Sequence, residues 1–80
     1  KLRRGKFDLV EEKVAPNAIA SGKKLKDLKL PDQTTIVAVI RSGELIIPSG
    51  DLQFEPADEV LAVVHSSQKK ELAKFFDRVS

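Results

Sequence analysis

One stretch of the chain, residues 34–48, constrains the fold more than any other. It contains five consecutive apolar residues at 36–40, four of them β-branched, and this composition favours a strand. Ser42 and Gly43 follow, and a two-residue loop in which glycine takes a positive φ is a common connection in a β-hairpin. Residues 45–47 then resume the strand. Because the run at 36–40 is apolar at every position, both faces of the hairpin need a cover.

Two further strands are indicated by the apolar pattern on either side of the hairpin. Residues 7–14 alternate in part, with Phe7 and Leu9 on one side and Val10 on the other. Residues 59–65 contain a second run, 60–64, that is apolar on both faces. Residues 55–58 form a turn between this last strand and the hairpin, and we expect type I geometry because Ala57 resists a positive φ.

Helical spacing appears in two places. Leu25 and Leu28 lie three residues apart, which predicts a helix of one or two turns that ends before Pro31. After a cap at Ser66 or Ser67, we predict a helix of about twelve residues. Its apolar stripe comprises Leu72, Phe75, Phe76 and Val79.

These elements predict a single α/β domain of the α+β-like kind, with two layers and the order β-α-β-β-β-α. Residues 1–5 read as a linker stub and residues 6–80 as the domain. One helix and one short helix cover a single sheet face, so we expect a second copy of the domain to cover the other, about a two-fold axis. The alternative is that the segments around Leu25 and Leu28 and around Leu52 and Phe54 suffice.

Composition excludes several classes of protein. The 80 residues include no cysteine, so a disulfide framework and a thiolate metal site are both ruled out. Apolar runs stay far below the roughly 20 residues that span a bilayer, so direct membrane insertion is not expected. Because the chain starts at Lys1 and has no methionine, we expect either a segment of a longer protein or a processed chain.

Charge is segregated along the chain. Residues 1–29 carry nine bases and four acids, whereas residues 30–66 carry one arginine and six acids. A basic segment is compatible with nucleic-acid binding, but it contains a single aromatic residue to stack on bases. We therefore favour a solvated surface and expect no nucleic-acid partner.

Catalytic and metal chemistry find little support, and we predict that the domain is not an enzyme. The single histidine, His65, lies where a strand meets a helix and reads as a surface or helix-start residue. Its surroundings lack metal-ligand spacing, and Ser49 has no nucleophile-elbow sequence around it. The glycines are too isolated to cradle a phosphate. We expect no catalytic residue, no metal site and no cofactor within this domain.

Arg41 is the one base between residues 30 and 66, and it directly follows a buried run. Two interpretations remain open. It binds an anionic ligand at the sheet edge, or it forms an ion pair within the domain, for example with Glu44 across the turn.

Four segments in succession resemble the TrkA C-terminal domain, also called RCK-C, of proteins that regulate potassium conductance. They are Gly22 to Pro31 (GKKLKDLKLP), Ile36 to Glu44 (IVAVIRSGE), Ile46 to Asp51 (IIPSGD) and Pro56 to Leu61 (PADEVL). Family members usually have glycine where this chain has Ala57. The resemblance covers nearly the whole chain.

The resemblance implies a strand-first domain with a mixed sheet, a three-strand meander and a closing helix, paired as a homodimer. It also implies a non-catalytic regulatory role on the cytoplasmic side of a potassium or cation transport protein, in the same chain or as a separate subunit. Some family members bind cyclic di-AMP between paired domains. By position, the residues of such a groove, for this or another small effector, would be Ile40, Arg41, Ile46, Ile47 and Pro48. Rival functions are a dimerisation module without ligand and a nucleic-acid-binding module.

Overall fold

Four strands and one α-helix form the main elements of the part of the domain that the structure describes. The computed structural model describes residues 6–79, so the predicted linker stub at 1–5 lies outside the described residues. The strands are β1 Phe7–Lys13, β2 Thr34–Arg41, β3 Glu44–Ile46 and β4 Glu59–His65, and the helix α1 is Lys69–Phe76. The sheet order is β1-β4-β2-β3, and each pair of neighbours is antiparallel.

The predicted α+β fold in two layers is confirmed, but two details of the sheet differ. Every strand pairing among residues 6–79 is antiparallel, so the sheet is not mixed. Its last three strands are not a meander either, because β4 pairs with β2 rather than with β3. The physical reason is strand length. β3 has three residues and β2 has eight, so the seven-residue β4 can pair along more of its length with β2 than with β3.

The hairpin has the predicted two-residue connection. Ser42 and Gly43 both have positive φ values, 52° and 79°, which define a type I′ turn. Arg41 faces Glu44 across the turn, and the register places Ile40 opposite Leu45. A shift in register lies at Val37, between Ile36 and Ala38.

The core lies between one sheet face and α1. Val60, Ala62 and Val64 alternate along β4 and are fully buried. Leu72 and Phe76 of α1 belong to the same cluster, as the apolar stripe predicted. The cluster also contains Val14, Ala18, Ala20, Val39 and Phe54.

Helix α1 is shorter than predicted. A 3-10 turn, Ser66–Gln68, precedes its eight residues, and no serine side chain caps it. The His65 imidazole caps the 3-10 turn instead, since its Nδ1 accepts the Ser67 N–H at 3.1 Å. The chain becomes extended at Asp77, which leaves Val79 outside the helix and 50% exposed.

The predicted helix around Leu25 and Leu28 is a single 3-10 turn, Leu25–Asp27. Its backbone is bonded to a distant segment: the Leu25 N–H donates to the Leu52 carbonyl at 2.8 Å, and the Phe54 N–H donates to the Lys23 carbonyl at 3.0 Å. These tertiary hydrogen bonds satisfy groups that a helix would have bonded internally. Leu25 and Leu28 still pack against the core.

The turn at residues 55–58 is type II rather than type I, because Ala57 has a φ of 74°. The Ala57 N–H donates to the Val14 carbonyl at 2.8 Å. The Asp58 N–H donates to the Glu55 carbonyl at 3.1 Å, which is the hydrogen bond of the turn. The contact with Val14 selects a conformation that alanine alone disfavours.

Candidate functional site

Strand alternation divides the five predicted site residues between the two faces of the sheet. Ile40 pairs with Leu45 and lies on the face away from α1, whereas Arg41 and Ile46 lie on the core side. Ile46 is partly buried against the core. Ile47 follows β3 and is 74% exposed, and Pro48 is half-buried beside it. The set therefore meets at the β3 edge and does not form a single patch on one face.

Arg41 binds Asp58 through two parallel hydrogen bonds. Nε donates to Oδ1 and Nη2 donates to Oδ2, both at 2.8 Å. Nη2 also donates to the Gln53 carbonyl at 2.9 Å, and Nη1 lies 3.2 Å from Oε2 of Glu55. The structure agrees with the second interpretation of Arg41, an ion pair within the domain. Its partners are Asp58 and Glu55 rather than Glu44.

Asp58 is the one fully buried charged side chain in the described part of the chain, with 1% exposure. Its Oδ2 also accepts the Glu55 N–H at 2.8 Å. Burial by itself would raise the pKa of Asp58, but hydrogen bonds from Arg41 and from the Glu55 N–H outweigh burial and hold the pKa below its ordinary value. The hydrogen bond to Asp58 in turn raises the pKa of Arg41.

Sequence reasoning did not identify Asp58 as the partner of Arg41. Two signals in the chain point to it in retrospect. Arg41 is the single base among the six acids of residues 30–66, and Asp58 lies two residues before the fully buried Val60. A carboxylate next to a buried strand needs a cation, because an unpaired buried charge is costly.

The sheet face opposite α1, called the outer face below, carries apolar side chains on all four strands, together with Glu11, Lys13 and Glu59. Its most exposed large side chains are Leu9 at 68%, Leu45 at 63% and Phe7 at 53%. Leu61 and Val63 of the central strand β4 lie between them and are half-buried. The register joins these residues laterally, for example through Leu9 opposite Val63.

No segment among residues 6–79 covers the outer face. The alternative cover predicted above, from Leu25, Leu28, Leu52 and Phe54, packs with the core on the α1 side. Phe54 meets Phe76 edge to face, with 5.6 Å between ring centres. Helix α1 and these segments therefore share one side of the sheet, and the apolar surface on the other side remains.

His65 lies at the border of the outer face. Its ring meets Phe7 edge to face at 5.2 Å, and its Nδ1 lies 2.8 Å from Ser67 Oγ. This is the surface, helix-start position that the sequence predicted. No helix in residues 6–79 has the length and apolarity that crossing a membrane requires.

The architecture defines a small α+β domain in which Arg41 pairs with the buried Asp58 at the end of the hairpin, and in which large apolar side chains remain exposed on one sheet face. Residues 9–77 match the model of the TrkA-C domain family, and the chain belongs to that family. The predicted family membership is thus confirmed.

Individual relatives agree with this assignment. The chain is 34% identical over 70 residues to a Trk system potassium uptake protein TrkA homolog of Archaeoglobus fulgidus. That match covers 88% of this chain and 16% of the relative, so the chain spans about a sixth of that protein's length.

Two solved structures share the fold. One is an RCK domain with cda, with a TM-score of 0.77, 23% identity, and coverage of 86% of this chain and 97% of that one. The other is the RCK C domain of the potassium transport protein KtrA in complex with cyclic diadenosine monophosphate. It has a TM-score of 0.73, 25% identity, and coverage of 86% and 82%.

Proposed function

We propose that this chain is a non-catalytic regulatory domain of a potassium or cation transport system, acting on the cytoplasmic side of the membrane as a homodimer. The observation that carries this proposal is the outer face, an apolar surface across four strands in a member of the TrkA-C family. The relative from Archaeoglobus fulgidus is named for potassium uptake, which supports the assignment to transport.

A second copy of the domain is the occupant we assign to the outer face. Large contiguous apolar patches are uncommon on monomers, and a two-fold arrangement buries the same patch on both copies. Phe7, Leu9 and Leu45 supply large side chains that gain most from such burial. Charged groups also lie on this face, because Glu11 is opposite Leu61 and Lys13 is opposite Glu59 in the register. The apolar side chains therefore form a band that runs from Phe7 and Leu9 through Val63 and Leu61 to Leu45.

Sedimentation velocity at high micromolar concentration tests the homodimer. We expect a dimer for the wild type and a monomer for Leu9→Glu. Ile19→Glu is the matched control, because Ile19 is also exposed, at 43%, but its neighbours Ala18 and Ala20 pack on the α1 side of the sheet. A monomeric wild type would show that the dimer proposal is wrong.

The ligand we assign to the paired domains is cyclic di-AMP or another small anionic effector, held near the β3 edges where two copies meet. Support comes from the KtrA domain, which was solved with cyclic di-AMP. In this chain Ile40, Ile46, Ile47 and Pro48 would form the apolar lining, with Arg41 beside them. The exposure of Ile47, at 74%, leaves a large aliphatic group available for a nucleobase.

Such a ligand would regulate transport through a difference in affinity. If it binds one arrangement of the dimer more tightly than another, it shifts the balance between them by the ratio of the two affinities. A gate elsewhere in the transport protein would then follow that balance. No catalytic step in this domain is needed.

Isothermal titration calorimetry with cyclic di-AMP tests the ligand. We expect binding by the wild type, at least tenfold weaker binding by Ile47→Ser, and unchanged binding by Ile19→Ser. Tenfold corresponds to about 1.4 kcal/mol, which is within the effect of exposing one aliphatic contact. A dimeric wild type that gives no heat would exclude this ligand and favour a dimerisation module.

A further inference from the structure

Arg41 connects three segments that are distant in sequence. It is the last residue of β2, and its guanidinium donates hydrogen bonds to Asp58, which immediately precedes β4, and to the carbonyl of Gln53 in the loop before it. Glu55 adds an ion pair at 3.2 Å from the same loop. One side chain therefore holds the hairpin, the loop and the central strand β4 together.

The donors of the guanidinium are largely used within the domain. Nε and Nη2 make three hydrogen bonds, to both carboxylate oxygens of Asp58 and to the Gln53 carbonyl, and Nη1 faces Glu55. Asp58 is 1% exposed, so freeing Arg41 for a ligand would leave a buried carboxylate without its cation. That state is strongly disfavoured. Arg41 also points to the core side of the sheet, whereas Ile40 points to the outer face.

The segment between these anchors contains the proposed ligand contacts. Residues 47–52 leave the sheet at β3, which is paired to β2, and they return at Gln53 and Glu55, which Arg41 holds. Within the segment, the Leu52 N–H donates to the Ser49 carbonyl at 3.0 Å. Its second half is also held by the 3-10 turn, through Leu25 N–H to the Leu52 carbonyl, Lys26 N–H to the Gly50 carbonyl and a Lys26–Asp51 ion pair at 3.0 Å, but none of these contacts reaches Ile47 or Pro48. The position of Ile47 and Pro48 thus depends on both anchors.

We infer that Arg41 is a positioning residue: through its paired hydrogen bonds with Asp58 it fixes the conformation of residues 47–52, and it does not contact the effector that this segment binds. The second clause rests on the proposed function, whereas the first concerns the chain alone.

A double-mutant cycle with cyclic di-AMP as the probe separates positioning from contact. If Arg41 positions the segment, Arg41→Gln and Asp58→Asn each weaken binding about tenfold, and the double variant binds no more weakly than either one, because both remove the same ion pair. If Arg41 contacts the phosphate, Asp58→Asn retains or strengthens binding by releasing the guanidinium, and this result overturns the inference. Glu71→Gln is the control, because Glu71 is an exposed carboxylate on α1, and it should change affinity less than about twofold.

A conservative variant covers the case in which Asp58→Asn does not fold. Arg41→Lys keeps the positive charge but loses the planar guanidinium that makes two parallel hydrogen bonds to a carboxylate. Positioning predicts that Arg41→Lys weakens binding as much as Arg41→Gln does, with no change in the salt dependence of the affinity. Binding by Arg41→Lys at wild-type strength would instead indicate a simple charge contact and overturn the inference.

Hydrogen exchange provides a readout that does not need the ligand. In Arg41→Lys we expect the amides of Leu25, Lys26 and Leu52, which donate hydrogen bonds to carbonyls of the segment, to exchange at least tenfold faster, with the amides of β1 unchanged. Unaltered exchange at these three amides would overturn the inference even if cyclic di-AMP binds. Conversely, faster exchange in a protein that does not bind cyclic di-AMP would support the positioning role and reject only the proposed ligand.

Discussion

Arg41 and Asp58 bind each other in parallel, Nε to Oδ1 and Nη2 to Oδ2, each at 2.8 Å, although they are 17 residues apart. The carboxylate is buried, and the guanidinium is partly exposed at 27%. This pair closes the end of the sheet where the hairpin, the loop and β4 converge.

Acid should weaken the fold through Asp58. Its pKa is lowered in the folded state, so its contribution to stability is full above the unfolded value of about 3.9 and is lost as the pH falls through the folded value. Asp58→Asn should cost about 2–3 kcal/mol at pH 7, because it breaks the bidentate pair that the buried carboxylate makes with a partly exposed guanidinium. Urea unfolding from pH 7 to pH 2 measures both effects. An equal loss for Asp58→Asn at pH 7 and pH 2 would argue against this linkage.

Ala57→Gly should stabilise the domain. Ala57 has a φ of 74°, and a left-handed conformation costs a non-glycine residue roughly 1–2 kcal/mol, although the greater freedom of glycine in the unfolded chain offsets part of the gain. We expect a gain of about 0.5–1 kcal/mol by thermal unfolding. The mirror control is Gly43→Ala. Gly43 has a φ of 79°, and a Cβ added there would have no heavy atom within 4 Å. The loss of stability in Gly43→Ala therefore measures the cost of the backbone conformation, with no contribution from a steric clash. A destabilised Ala57→Gly would contradict the strain at this turn.

Phe76→Ala should remove most of the stability of the domain. Phe76 is fully buried and meets the Phe54 ring, and truncating a core aromatic residue costs about 3–5 kcal/mol. Phe75→Ala is the comparison, because Phe75 lies in the same helix but is half-buried, and it should lose less. Far-ultraviolet circular dichroism during urea titration gives both values. Equal losses would mean that α1 packs through a different face.

Glu12→Gln should make the fold more stable at neutral pH. Burial, and secondly the charge of Asp77, raise the pKa of Glu12. A carboxyl group whose pKa is raised in the folded state favours folding while it is protonated. This contribution to stability is lost as the pH rises through the pKa of the folded state. The glutamine variant should therefore have the higher urea midpoint at pH 7, with the difference shrinking towards pH 4. Glu11→Gln, at an exposed position on the same strand, should show little change.

Local patterns were sufficient to predict the strands and the hairpin turn. β4 spans Glu59–His65, as its apolar run indicated, and β1 covers all but the last residue of the predicted 7–14. The hairpin turn follows from Ser42 and Gly43 because a two-residue loop requires positive φ values, which glycine readily adopts. Such features depend on neighbours in sequence, so composition and spacing carry the information.

Local patterns failed where a distant segment supplied the deciding contact. The short helix near Leu25 became a 3-10 turn because residues 50–54 took its backbone hydrogen bonds, and the turn at Ala57 changed type because its N–H bonds Val14. The residues of the candidate site were predicted from the family resemblance. The resemblance did not show that strand alternation places Ile40 and Arg41 on opposite faces of the sheet.

By itself, then, the sequence determined which segments are strands, where the hairpin turns, and that one apolar face exceeds what a single helix covers. Only the tertiary structure decided that β4 pairs with β2, that the segments around Leu25 and Phe54 join α1 on the same side, and that Arg41 is committed to Asp58. The physical reason is that strand periodicity is a property of adjacent residues, whereas pairing partners and the satisfaction of a buried charge depend on residues that only the fold brings together.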